Sequence, residues 1–161
     1  MTILAGSKLK AADLTLPDPV AGYGGTNTVT ATTFTDLPTN PCTVNITNPH
    51  ATADLLVSLA FGVWFVLPIG GTPAFTRACT RVSGSVTIAA GIASVSNGPV
   101  GWGMIPGTNI IGTSQHAAHA LYTLLSGTAT FTMQAYKDSA AAGTHQVNYA
   151  VIEINPIRYL F

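Results

Sequence analysis

The chain has 161 residues and a mass of 16.6 kDa, which suits one domain whose core stands without disulfides or metal. At 47% hydrophobic, with six Lys plus Arg against six Asp plus Glu and zero net charge, it is too apolar for disorder and has no basic footprint for a nucleic-acid backbone or an anionic membrane. An average chain of this length carries about 40 charged residues, so the 7% found here implies an exterior largely covered by other copies or by a larger assembly.

Residues 1–20 read as an extended or partly helical docking arm. Lys8, Lys10, Asp13 and Asp18 concentrate charge there, Ala11 to Leu14 offers one helical turn, and Pro17 and Pro19 stop it. Leu4, Leu9 and Leu14 are its candidate docking side chains. The positive charges of Met1 to Lys10 follow its apolar residues and no long apolar core precedes them, so no secretory signal is expected. Gly22, Gly24 and Gly25 mark 21–25 as a Gly-rich joint, leaving 26–161 as the head domain.

In the head, sixteen Gly and ten Pro punctuate short runs rich in Thr, Val and Ile, which fit a pleated, half-buried surface. The predicted fold is all-β, an antiparallel β-sandwich of the jelly-roll kind with about eight strands. Thr26 to Leu37 alternates imperfectly. Cys42 to Thr47 alternates well, with Cys42, Val44 and Ile46 on one face. Asp54 to Leu67 is the long central strand; its apolar run, Leu55 to Leu67, is too short to span a bilayer. Both faces of that run are apolar, which predicts burial on both sides, the second against another subunit. Phe75 to Ser83 and Val86 to Val95 follow as strands, then a loop carrying Trp102 and Met104. Ser114 to Leu125 fits a strand, although Ala117, Ala118, Leu121, Leu124 and Leu125 also draw a helical stripe. Ala129 to Tyr136 and Asn148 to Ile157 close the domain, and the apolar tail ending in Phe161 is expected to be tied down.

Groups able to carry chemistry are scarce. Glu153 is the single Glu, and Asp13, Asp18, Asp36, Asp54 and Asp138 lie mostly next to Pro, Gly or small residues at strand ends, where Asp forms turns and caps. The chain has no phosphate loop, nucleophile elbow or zinc-protease motif, so no enzyme and no cofactor are expected. His116 and His119 are weak metal candidates: at i and i+3 they share a face on a helix but point to opposite faces on a strand. Arg77 and Arg81 share a strand face with Phe75 and Cys79, and suit carboxylate pairing across an interface or a solvated sheet face. Trp64, Tyr136, Tyr159 and Phe161 are further interface candidates, and Trp102 marks a candidate ligand loop. Trp64, Trp102, Tyr122, Tyr136, Tyr149 and Tyr159 could stack on sugars, but core and subunit packing explains them as well. Cys42 and Cys79 read as buried thiols, with a disulfide as the alternative.

Ala5-Gly6-Ser7-Lys8-Leu9-Lys10-Ala11-Ala12-Asp13-Leu14 resembles the short start of many minor tail and other virion proteins of tailed phages that infect Actinobacteria. Asn48 to Val57, Gly127 to Tyr136 and Val151 to Tyr159 are similar to the β-sandwich that accompanies it. The resemblance implies a non-enzymatic virion component, assembled in the host cytoplasm, with a trimeric head of the tumour-necrosis-factor/C1q kind. Its expected partners are its own copies and major capsid or tail proteins, with no nucleic acid and no membrane. A chain without a collagen-like or coiled-coil shaft suits a capsid decoration or tail-tip part. The alternative is a receptor module that binds host cell-wall glycan through the Trp102 loop or trimer apex.

Overall fold

The computed structural model describes residues 16–49, 52–67, 74–88, 101–104, 110–137 and 143–159. Among them are nine strands and no helix: β1 (Val20–Gly24), β2 (Asn27–Thr28), β3 (Thr35–Asp36), β4 (Thr43–Asn48), β5 (Ala53–Leu67), β6 (Ala74–Ile88), β7 (Gly101–Met104), β8 (Ile110–Lys137) and β9 (Thr144–Tyr159). They form one curled antiparallel sheet in the order β1-β9-β5-β8-β6-β7, with β2 on β9 and β3 and β4 on β8. The fold is the all-β, sandwich-like one expected from the composition.

The 28-residue β8 organises the curl. Its first part pairs with β5, from Leu124 opposite Ala53 to Ile110 opposite Leu67. Its second part lies between β4, with Gly127 opposite Asn48, and β6, with Ala129 opposite Gly84. The strand turns from one layer to the other at Gly127, whose φ of 122° is closed to most side chains, and where an added Cβ would meet the Ser85 hydroxyl. The β6–β8 register shifts beside it, between Gly84 and Val86. The inward residues of both layers meet in one core: Leu55, Val57, Leu59 and Phe61 from β5, Phe131 and Met133 from β8, Val44 and Ile46 from β4, and Ala150, Ile152 and Ile154 from β9. The rings of Tyr122 and Phe131, on either side of the bend, meet edge to face at 5.3 Å, a favourable aromatic geometry.

Several elements differ from expectation. Residues 21–25, expected to be a joint, fall largely in β1, which pairs with β9 from Val20 opposite Ile154 to Gly24 opposite Ala150. The glycines there serve packing: a Cβ on Gly22 would lie 2.5 Å from the Thr43 carbonyl oxygen, and the Cys42 thiol donates to the Gly22 carbonyl at 3.1 Å. Thr26 to Leu37 supplies only β2 and β3, because its organising residue is a buried amide. Asn27 donates to the Gly25 and Asn40 carbonyls, both at 3.1 Å, and its side-chain oxygen accepts from the Thr39 amide at 2.8 Å. The two predicted strands Phe75 to Ser83 and Val86 to Val95 are one strand as far as Ile88; the remainder lies outside the described residues. Trp102 is in β7, opposite Thr76, rather than in a loop. Ser114 to Leu125 is strand, continuous with Ala129 to Tyr136. Its helical stripe arose because the strand is apolar on both faces: Tyr122 and Leu124 are buried while Leu121 and Leu125 are exposed. Residues 1–15 of the predicted arm, and Phe161, lie outside the described residues.

Gly22→Ala is expected to cost about 1–3 kcal/mol through overpacking, read as a lower urea midpoint at an unchanged m-value. A freely jointed segment would tolerate the methyl group with no change in midpoint.

Candidate functional site

The two layers present different chemistry to the outside. On the layer made by β9, β5 and β8, outward residues alternate with the buried ones of β5, and ladder partners share a side. Register therefore sets Asn155, Leu56 and Leu121 in one row; Glu153, Ser58 and His119 in the next; Val151, Ala60 and Ala117 in a third; and Tyr149, Gly62 and Gln115 in a fourth. The β9 bulge between Tyr149 and Val147 ends this phase. A Cβ on Gly62 would collide with the Tyr149 ring, so that ring lies across the glycine. Beyond β9, β1 adds Tyr23, which is 74% exposed and stands opposite Val151. Leu56, Ser58, Ala60 and Trp64 are only half-buried, so the second face of β5 is partly open in the single chain.

The layer made by β3, β4, β8 and β6 is polar outside and bonded to itself. Thr43 donates to Thr132 at 3.3 Å, Thr130 donates to Asn45 at 2.7 Å, and the Thr47 and Thr128 hydroxyls are 2.9 Å apart. Asp36 accepts from Arg81 Nε at 3.1 Å and Nη2 at 2.6 Å, and from Gln134 at 2.9 Å. The hydrogen bond from Arg81 leads in holding the Asp36 carboxyl below its ordinary value, against slight desolvation, with help from Gln134. The same bond raises Arg81.

The sequence-predicted site residues do not converge. Arg81 pairs within its own chain, and Arg77 is exposed beside it on β6, opposite Tyr136. Tyr136 packs edge-on against Phe34, with ring centroids 4.7 Å apart. Trp64 belongs to the β5 outer face. Tyr159 ends β9 opposite Ala53. Tyr122 is buried, with its hydroxyl 3.3 Å from that of Thr80, which removes it from any surface groove. His116 and His119 stand opposite Phe61 and Ser58, and no group of three or more His, Cys, Asp or Glu is gathered for a metal among the described residues. Leu4, Leu9, Leu14 and Phe161 lie outside them. Sequence reasoning missed the row Glu153–Ser58–His119, since only the register brings residues so distant in the chain side by side. The available signal was the second apolar parity of the β5 run.

Among the described residues, further polar and thiol groups lie in the interior. The Thr76 hydroxyl and His145 Nδ1 share a 2.6 Å bond, but His145 is 3% exposed and meets no substrate there. Lys137 donates to the Gly143 carbonyl at 3.0 Å. A shallow pocket of about 150 Å³ beside Thr28, Val29, Leu37 and Pro38 has one charged lining residue, Asp36, already engaged by Arg81. Cys42 and Cys79 are buried free thiols. Desolvation pushes them up to about 11 and about 12, respectively. The chain matches no family model and no curated protein.

Two outcomes follow from this chemistry. Because the folded Asp36 carboxyl sits below its unfolded value, the pair contributes stability above the ordinary carboxylate range, and that contribution is lost as pH falls through the folded value. Arg81→Ala is therefore expected to lower stability by no more than about 1 kcal/mol at neutral pH, since the pair is exposed, and by progressively less on acidification, read by urea titration across pH. Native protein is expected to leave both cysteines unmodified by a thiol reagent at pH 8 and to expose two only after unfolding; rapid labelling of either thiol in the folded state would contradict their burial.

Proposed function

We propose that the protein is a non-enzymatic structural subunit of a tailed-bacteriophage virion, a homotrimeric surface component held to the particle by its N-terminal arm, as a capsid decoration or as part of the tail tip. The observation that carries the assembly half of this reading is the contrast between the two outer faces. The polar face satisfies its own hydrogen bonds, whereas the β9–β5–β8 face leaves Leu121 46% and Tyr149 38% exposed in a chain with only 7% charged residues. The outward rows of that second face group Leu56, Leu121, Val151, Ala60, Ala117 and Tyr149 around the polar Ser58, Glu153, His119, Asn155 and Gln115, and exposed apolar side chains gathered on one sheet face favour an interaction surface. The virion half rests on the resemblance of Ala5 to Leu14 and of the three head segments to phage virion proteins.

Glycan recognition is less well supported. Tyr122 lies in the core, Tyr136 is turned to Phe34, and Trp64 and Tyr149 lie on the apolar face, so these aromatics do not line a common groove with acidic and amide partners.

Light scattering coupled to size exclusion on the full chain is expected to give a mass near three times 16.6 kDa. Leu121→Lys, which places a charge on the apolar face, is expected to shift that mass toward one chain while circular dichroism stays unchanged. A wild-type chain that runs as a monomer at micromolar concentration would overturn the assembly reading.

A further inference from the structure

We infer that the β9–β5–β8 outer face is where one copy of this chain meets another, with Glu153 of one copy seated against His119 of the next. The inference rests on the self-assembling reading above and deepens it by naming the surface and the contact that sets its register.

The apolar face carries an acid and a base at its centre, in one ladder row and on opposite sides of Ser58. Both side chains are exposed in the single chain. Their strands are separated by two strand spacings, about 10 Å, beyond ion-pair reach, and neither has a hydrogen-bond or ion-pair partner among the described residues. Covering the face would desolvate both groups, and an unpaired buried charge is strongly unfavourable. Leu56, Leu121, Val151, Ala60 and Ala117, in the rows above and below, offer no neutralising group, and Asn155 offers a neutral amide but no opposite charge. Ala21, on the far side of Glu153 in the same row, is too small to screen the carboxylate.

A second copy resolves this by symmetry. Any rotation axis parallel to β5 keeps the row at one height while bringing the β9 side of one copy toward the β8 side of its neighbour. Glu153 then faces His119, at every contact of a closed ring or at both ends of a two-fold pair. A two-fold axis across the strands would instead set Glu153 against Glu153. Charge complementarity thus selects the axis. The footprint is substantial: from Asp54 to Gly62 the face is about 27 Å long across β9, β5 and β8, with the five-residue β1 beside β9, on the order of 500 Å² before side-chain relief, against the roughly 800 Å² that each partner gives to a standard interface.

The full-length double variant Glu153→Cys with His119→Cys tests the contact directly. The two positions in one chain are too far apart to bridge, and Cys42 and Cys79 are buried, so mild oxidation with diamide is expected to yield covalent multimers on non-reducing gels, each single variant yielding none beyond background. A charge exchange provides the second reading: Glu153→Lys and His119→Glu are each expected to lower the mass by light scattering, and the combination to restore it. If the wild type is oligomeric but neither cross-linking nor rescue occurs, the contact is wrong while the assembly reading stands. If the wild type is monomeric, both fall.

Discussion

The architecture depends on one strand serving two layers. β8 hydrogen-bonds to β5 before Gly127 and to β4 after it, while β6 pairs with it on both sides of the bend, so the layers are tied through continuous backbone rather than through side-chain contact alone. Alternation along this strand also decides the molecule's exterior. Before the bend, outward positions carry Ala117 and Leu121; beyond it they carry Thr128, Thr130 and Thr132. The bend switches the inward parity, from Tyr122 and Leu124 before it to Ala129, Phe131 and Met133 after it; a strand that ran through without the switch would turn Phe131 and Met133 outward and put threonines into the core. The close approach of β1 to β4, permitted by the missing side chain of Gly22, brings the edge strand beside β9 against the strand paired with the second part of β8, over the same core.

Charge is rationed between these exteriors in a way that separates stability from recognition. Asp36 and Arg81 neutralise one another on the polar face, where an exposed pair is worth under about 1 kcal/mol, so their main effect is to leave that face without an unmet demand for a partner. The apolar face is the reverse. Burial of Leu56, Leu121, Tyr149 and Val151 would supply the affinity of any association, at roughly 25 cal/mol per Å² of apolar surface covered. Glu153 and His119 would add little net energy and much orientation.

Much of the fold was legible from residue pattern. Thr43 to Asn48 alternates because one face of β4 is core and the other is the threonine ladder, the situation in which a period of two is clearest. Ser114 to Leu125 was ambiguous for a physical reason: a strand apolar on both faces has no period of two to display, and its residues can be redrawn on a helix. Residues 21–25 read as a joint because glycine signals flexibility and close approach alike, and only the neighbouring Thr43 carbonyl distinguishes them. The union of Phe75 to Ser83 with Val86 to Ile88 was hidden by Gly84, which looks like a terminator but sits at φ 92° within a continuing strand. The outward rows of the β5 layer were beyond pattern altogether, since they join residues from three distant segments through register alone.

An apolar sheet surface has a weakness that the central row answers. Flat faces of small and aliphatic side chains slide past one another at little cost, in steps of two residues, or about 6.8 Å along a strand. A neighbour displaced by one such step would bring Glu153 opposite Ala117 or Leu121 and leave the carboxylate covered without a partner, while His119 would meet Asn155 or Val151 in place of a carboxylate. Removing one partner of a buried pair costs about 3–5 kcal/mol, several times what a shift of aliphatic contacts changes. Two ionisable side chains therefore suffice to distinguish one register from its neighbours, at the place where apolar packing alone distinguishes least.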